Sequence, residues 1–138
     1  MAIIDNFNKS IEIAKALYDP YSTMRCQHFS IIMSKSRVVS IGKNSIKTSP
    51  INLLNFNRGK NKDILDWKGV CSELSAINKL RNLTNIRTKD CVLFNVRINR
   101  NNEVSFARPC NFCRNLIAYF PFKSVYYSNW NGQIEQYC

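Results

Sequence analysis

The sequence predicts a three-layer α/β/α sandwich around a mixed central sheet, and three observations carry that expectation. Segments of helical and strand periodicity alternate along the chain, the arrangement that covers a sheet on both faces. The stretch Asp90–Arg97 is apolar at most positions, with Val92, Phe94 and Val96 alternating against Leu93 and Asn95, as in a strand buried on both sides. Asn131-Gly132, between two strand-like segments, is the strongest short hairpin signal in the chain and sets an antiparallel pair at its end. At 138 residues the chain fits one domain, 1–138, long enough for a single well-filled core.

The elements follow in order. Ile3, Ile4, Phe7, Ile11, Ala14 and Leu17 recur at helical spacing, with Asp5, Lys9, Glu12 and Lys15 on the wet side, and Asp19-Pro20 ends that helix. Phe29–Met33 and Arg37–Ile41 read as two strands joined by a tight Ser34-Lys35-Ser36 turn, leading into Gly42-Lys43-Asn44. From Ile46 to Lys68 the pattern dissolves into a basic, Asn-rich connection longer than a turn needs, and long connections in compact domains usually carry function. Val70, Leu74, Ile77 and Leu80 then predict a helix over Cys71–Asn82. Glu103–Ala107 either extends the sheet or crosses back over it. Pro109 suits the first turn of a helix running from about Cys110 to Tyr119, which Pro121 stops. Ser124–Ser128 and Gln133–Tyr137 are the strands of the closing hairpin.

Composition excludes several classes. Hydrophobic residues make up 45% of the chain, mean hydropathy is −0.27, and polar residues interrupt every apolar run well short of the roughly 18 residues a membrane span needs. The N-terminal Met1-Ala2-Ile3-Ile4-Asp5 lacks the basic start and small-residue cleavage site of a signal peptide, so a cytoplasmic location with no membrane partner is expected. Reduced thiols follow for the six cysteines, and Cys26, Cys91 and Cys138 read as ordinary small hydrophobes. The net charge is +11, and between Arg25 and Lys62 there are eight basic residues and no acidic one. That excess favours a nucleotide or nucleic-acid partner over the alternative, a merely solvated basic face.

Two short stretches carry the chemistry: Gly69-Val70-Cys71-Ser72-Glu73-Leu74 and Arg108-Pro109-Cys110-Asn111-Phe112-Cys113-Arg114. Each opens a helix, where unpaired N–H groups and the helix dipole favour a thiolate. Cys71, Cys110 and Cys113 together supply three soft ligands for zinc and leave one position open, with Glu73 beside it to carry a proton. A lone Cys-x-x-Cys also occurs in redox pairs and structural zinc sites. A redox motif does not account for Cys71-Ser72-Glu73, and a closed structural site needs a fourth ligand; the lone histidine, His28, has no partner at ligand spacing and reads as structural.

Taken together, these halves resemble the cytidine deaminase superfamily, whose signature is His or Cys, any residue, Glu, and later Pro-Cys-x-x-Cys. The resemblance spans about Phe29 to Tyr137 and includes the Gly42-Lys43-Asn44 end of the first hairpin. It implies a cytidine deaminase-like fold in a three-cysteine variant, with zinc held by Cys71, Cys110 and Cys113, Glu73 as the proton shuttle, and Asn44 against the base and sugar. The implied reaction is hydrolysis at a C–N bond of a cyclic amidine: water activated at zinc attacks C4 of cytosine, and ammonia leaves.

The three-cysteine set and the Asn131-Gly132 turn resemble the free-nucleoside branch, whose last strand runs antiparallel. Ile46 stands where that branch carries a glutamate for the sugar hydroxyl, and Leu74 where it often carries an arginine that neutralises thiolate charge. Lys43, Lys47 and Thr48 near Asn44 instead suit phosphate. Cytosine in a nucleotide or single-stranded nucleic acid, DNA favoured, is therefore the expected substrate, with Ser72 and Trp130 as further substrate contacts and Tyr126 and Tyr127 either stacking there or packing in the core. The alternatives are a free cytidine or deoxycytidine salvage deaminase and a non-catalytic, zinc-stabilised nucleic-acid-binding module. Association of copies into a homo-oligomer is a further implication of the resemblance.

Overall fold

The computed structural model describes residues 3–22, 26–44, 71–81, 83, 86–109, 114 and 117–137. Its elements are helix α1 (Ile3–Leu17), strands β1 (Cys26–Ser34) and β2 (Arg37–Lys43), helix α2 (Ser72–Arg81), a 3-10 turn at Thr88–Asp90, then β3 (Val92–Asn99), β4 (Val104–Ser105), β5 (Ser124–Ser128) and β6 (Ile134–Gln136). The strand order is β2-β1-β3-β5-β6, with β4 also paired to β3. β1 is antiparallel to β2 and β3, β3 and β5 are parallel, and β6 returns antiparallel on β5. The mixed sheet flanked by helices is the expected architecture. The connection 46–68, the start of the helix expected from Cys110, and Cys138 lie outside the described residues; residues 117–119 are helical.

Alternation along the strands divides the core in two. Phe29, Ile31, Met33, Phe94, Val96 and Ile98 point to one face, where Phe7 and Ala14 of α1 cover them. Ile32, Leu93 and Val125 point to the other, against Leu74, Ala76, Ile77 and Leu80 of α2. The buried stripe of α1 differs from the one expected: Phe7, Ser10 and Ala14 are inward, whereas Ile4 and Leu17 are largely exposed. Ser10 is tolerated there because its hydroxyl donates to Asn6 O at 3.0 Å. Asn6 Nδ2 and Lys9 Nζ in turn donate to Lys35 O and Ser36 O, which pins α1 to the β1–β2 turn.

Other boundaries shift for local reasons. β1 begins at Cys26, earlier than expected, since Gln27 is buried and bonds both the N–H and the carbonyl of Asp19 across the connection from α1. β3 starts at Val92 and not Asp90, because residues 88–90 form the 3-10 turn and Cys91 N donates back to Thr88 O. Glu103–Ala107 contributes only the two-residue β4, folded back on Arg97 and Ile98. The closing turn is as expected, with Gly132 at φ 75 and Asn129 Oδ1 accepting from Asn131 N and Gln133 N.

Candidate active site

Helix α2 positions the site, and a glycine lets it dock. A Cβ on Gly42 of β2 would lie 2.1 Å from Ser72 O and 2.4 Å from Ala76 N, so only glycine admits the first turns of α2 this close to the strand. Ser40 Oγ donates to Ala76 O at 2.7 Å and Lys79 Nζ to Ile41 O at 2.8 Å, tying the helix to β2 along its length. Cys71 precedes the first helical residue, and its carbonyl accepts the first intrahelical bond from Ser75 N at 3.1 Å; it is the N-cap. Its thiol is buried at the positive end of the helix dipole.

Glu73, in the first turn of α2, is also buried, at 6% exposure. Both carboxylate oxygens are held: Ser72 Oγ donates to Oε1 at 3.0 Å and Asn95 Nδ2 to Oε2 at 3.0 Å. Behind them Ser30 Oγ donates to Asn95 Oδ1 at 2.7 Å and lies 2.8 Å from Ser72 Oγ. Ser30 and Asn95 face each other across the β1–β3 ladder, one step beyond the apolar pair Ile32 and Leu93.

The contacts close a ring through Glu73, Ser72, Ser30 and Asn95. With the carboxyl protonated at Oε1, every link has one proton and the circuit runs in one direction. With the carboxylate ionised, both oxygens accept and the Ser30–Ser72 link is the one left without a proton. Both carboxyl oxygens keep a bonded neighbour in either state, and only the protonated one closes the whole circuit.

The remaining residues singled out from the sequence are placed as follows. Asn44 sits just past β2, its N–H donating to His28 O at 3.1 Å and its Oδ1 accepting from His28 N at 2.9 Å; His28 is a half-buried strand residue. Ser72, expected at the substrate, is 2% exposed and turns its hydroxyl to Ser30 and Glu73. Lys43 pairs with Phe29 on the α1 face and its ammonium lies over that ring, 5.8 Å from the centroid, so it is not brought to Glu73. Trp130 is 72% exposed beside the β5–β6 turn, stacked on Phe106 at 5.3 Å. Tyr126 stacks on Phe94 on the α1 face, and Tyr127 meets Phe106 edge-on, so both have packing partners. Leu74 is fully buried in the core beneath α2. Cys110, Cys113, Lys47 and Thr48 lie outside the described residues.

Among the described residues no three His, Cys, Asp or Glu side chains gather into a metal site. A buried thiol on the N-cap residue of a helix, with a buried carboxyl two residues on, nonetheless fits one arm of a zinc site with a proton carrier beside it. Cys91 is of a different kind. It is fully buried, its Sγ donates to Arg87 O at 3.3 Å, and burial, with Asp90 adding to it, pushes its thiol above the usual 9.0. That is the ordinary structural cysteine expected of it.

Sequence reasoning missed Ser30 and Asn95. The available signal was polarity at an inward position: each stands in an apolar strand where its alternation partners are core residues. No described helix is long and apolar enough to cross a membrane.

Known structures share this architecture. A cytidine deaminase from Burkholderia pseudomallei superposes with a TM-score of 0.61 at 16% identity, over 99% of this chain and 92% of its own. A dCMP deaminase from the cyanophage S-TIM5 gives 0.57 at 18%, over 94% and 86%. A cytidine deaminase from Mycobacterium leprae gives 0.53 at 18%, over 99% and 94%. No protein-family model matches the chain, and neither does any curated protein. The fold is therefore cytidine deaminase-like, established through structure alone.

Proposed function

We propose that the protein is a zinc-dependent hydrolytic deaminase that converts cytosine to uracil, with cytosine presented in a nucleotide or a single-stranded nucleic acid. The observation that carries this reading is the buried Glu73 carboxyl in the first turn of α2, two residues past the N-cap Cys71, in a cytidine deaminase-like fold. Cys71, Cys110 and Cys113 would hold the metal. Zinc, when bound, would lower the pKa of a water and so supply the nucleophile at neutral pH.

The overall reaction consumes one water and releases one ammonia, with C4–O formed and C4–N broken. Glu73 would take a proton from the attacking water and return it to the departing amino group. Ser72 and Asn95 hold both carboxylate oxygens in the ionised state that would take the proton. Asn44, fixed to the His28 backbone at the end of the first hairpin, would orient the base and sugar. Phosphate would be met by Lys47 and Thr48 of the basic connection, and Trp130 would flank the substrate from the β5–β6 turn.

The S-TIM5 enzyme has been captured with dCMP and dUMP, and the net charge of +11 favours an anionic substrate, which together support the nucleotide reading. The antiparallel return of β6 on β5 favours a second reading, a free cytidine or deoxycytidine deaminase. Incubating the zinc-loaded protein with a cytosine-containing oligonucleotide, dCMP and deoxycytidine, and measuring uracil in each, separates them. Product from the oligonucleotide or dCMP is expected. Product from deoxycytidine alone would favour the second reading, and none from any substrate would leave only a zinc-stabilised binding module.

A further inference from the structure

We propose that Asn95, backed by Ser30, is a positioning residue that fixes the orientation of the Glu73 carboxyl; the inference rests on the deaminase reading and deepens it. The terminal torsion of a glutamate is soft, so a carboxyl held only through its own chain samples a broad range of planes. Here the two oxygens are held by different elements. Ser72 lies on the same helical turn and moves with Glu73, whereas Asn95 belongs to β3 in the middle of the sheet. The Asn95 bond ties the carboxyl directly to the central sheet.

Asn95 is itself fixed. Its Oδ1 accepts from Ser30 Oγ at 2.7 Å, which selects the amide orientation with Nδ2 toward Glu73 Oε2. Asn95 is 3% exposed and Ser30 0%, and their neighbours on the same face are Leu93 and Ile32. Apolar side chains would fill these positions without the desolvation cost of an amide and a hydroxyl. What apolar residues cannot supply is a donor aimed at Glu73. A carboxyl that must accept and release a proton along fixed directions gains from such a donor, since a small misalignment of a reacting group costs rate steeply.

Two measurements on the zinc-loaded protein test this. Asn95→Leu, which keeps the branching and heavy-atom count of the side chain but removes its donor, is expected to lower kcat by about 10- to 100-fold, with KM nearly unchanged and zinc content retained. Ser30→Ala, which removes a single hydroxyl, is expected to give a smaller loss of the same kind. Unchanged kcat in Asn95→Leu would overturn the proposal, because a methyl group cannot replace the donor to Glu73 Oε2.

The second measurement needs no turnover. In the 1H–15N spectrum the Asn95 side-chain amide, identified by its loss in Asn95→Leu, is expected to exchange slowly and to shift in Glu73→Gln. A rapidly exchanging amide, or one indifferent to Glu73→Gln, would overturn the proposal even if the wild type deaminates. A wild type that yields no uracil while the amide is protected fails the deaminase reading itself and reduces the bond to a structural one.

Discussion

The two faces of the central sheet are built from the same strands and are unlike in chemistry. On the α1 face the inward residues are apolar along β1 and β3, from Phe29 to Met33 and from Phe94 to Ile98, with Tyr126 of β5 stacked on Phe94. On the α2 face Ile32, Leu93 and Val125 continue that pattern at one end only; at the other, Ser30 and Asn95 meet Ser72 and Glu73 under the start of the helix. Burying a polar ring there forgoes apolar contacts that the same backbone would accommodate. One face supplies stability, and the other gives up part of it to hold a carboxyl in place.

That division can be broken from either side. Phe94→Ala on the apolar face, which empties a fully buried ring packed against Phe7 and Tyr126, is expected to cost about 3–5 kcal/mol in denaturant unfolding. The fraction that stays folded should keep its turnover per zinc; a proportionate fall in kcat would blur the distinction. Gly42→Ala is expected to cost at least about 1–3 kcal/mol, since its Cβ would overlap Ser72 O and push α2 off β2. It should reduce turnover more than its stability loss explains, because the displaced turn carries Glu73. Turnover that tracks folded fraction in Gly42→Ala would show that the docking of α2 matters for packing alone.

The smallest expected effect concerns Cys91, also on the α2 side but at its apolar end. Its folded-state pKa is raised, so the stability it contributes is complete below about pH 9, its ordinary value, and declines as pH rises through the folded value. Unfolding midpoints of wild type and Cys91→Ala should therefore converge as pH rises above 9. At pH 8, alkylation mapped by mass spectrometry should leave Cys91 unmodified in the folded chain.

How much of this was legible in the sequence follows from how far apart the interacting residues stand. The helix over 72–81, the β1–β2 turn and the Asn131-Gly132 hairpin rest on local periodicity and turn chemistry, and the fold class followed from their order. Cys71 and Glu73 were legible because both belong to one helical turn. The Ser30–Asn95 bond joins residues 65 positions apart through the antiparallel β1–β3 register, which no local pattern specifies. Lys43 reads as a phosphate contact from its nearness to Asn44 in sequence; which face of the sheet it takes, beside Phe29, is set by the β1–β2 register. Ile4 and Leu17 fit a helical stripe but lie at its margins, where packing set by Phe7 and Ala14 leaves them exposed.

On the deaminase reading, the polar end of the α2 face exists for chemistry and not for stability. Glu73→Gln tests it most directly when unfolding free energy and uracil formation are measured on one zinc-loaded preparation. The amide keeps the size of the side chain and a hydrogen-bonding partner for each neighbour but cannot carry the proton. Turnover is expected to fall by about 10²- to 10⁴-fold, with stability equal to or above that of the wild type. A variant that loses stability as a core truncation does, or one that makes uracil at the wild-type rate, would contradict the account.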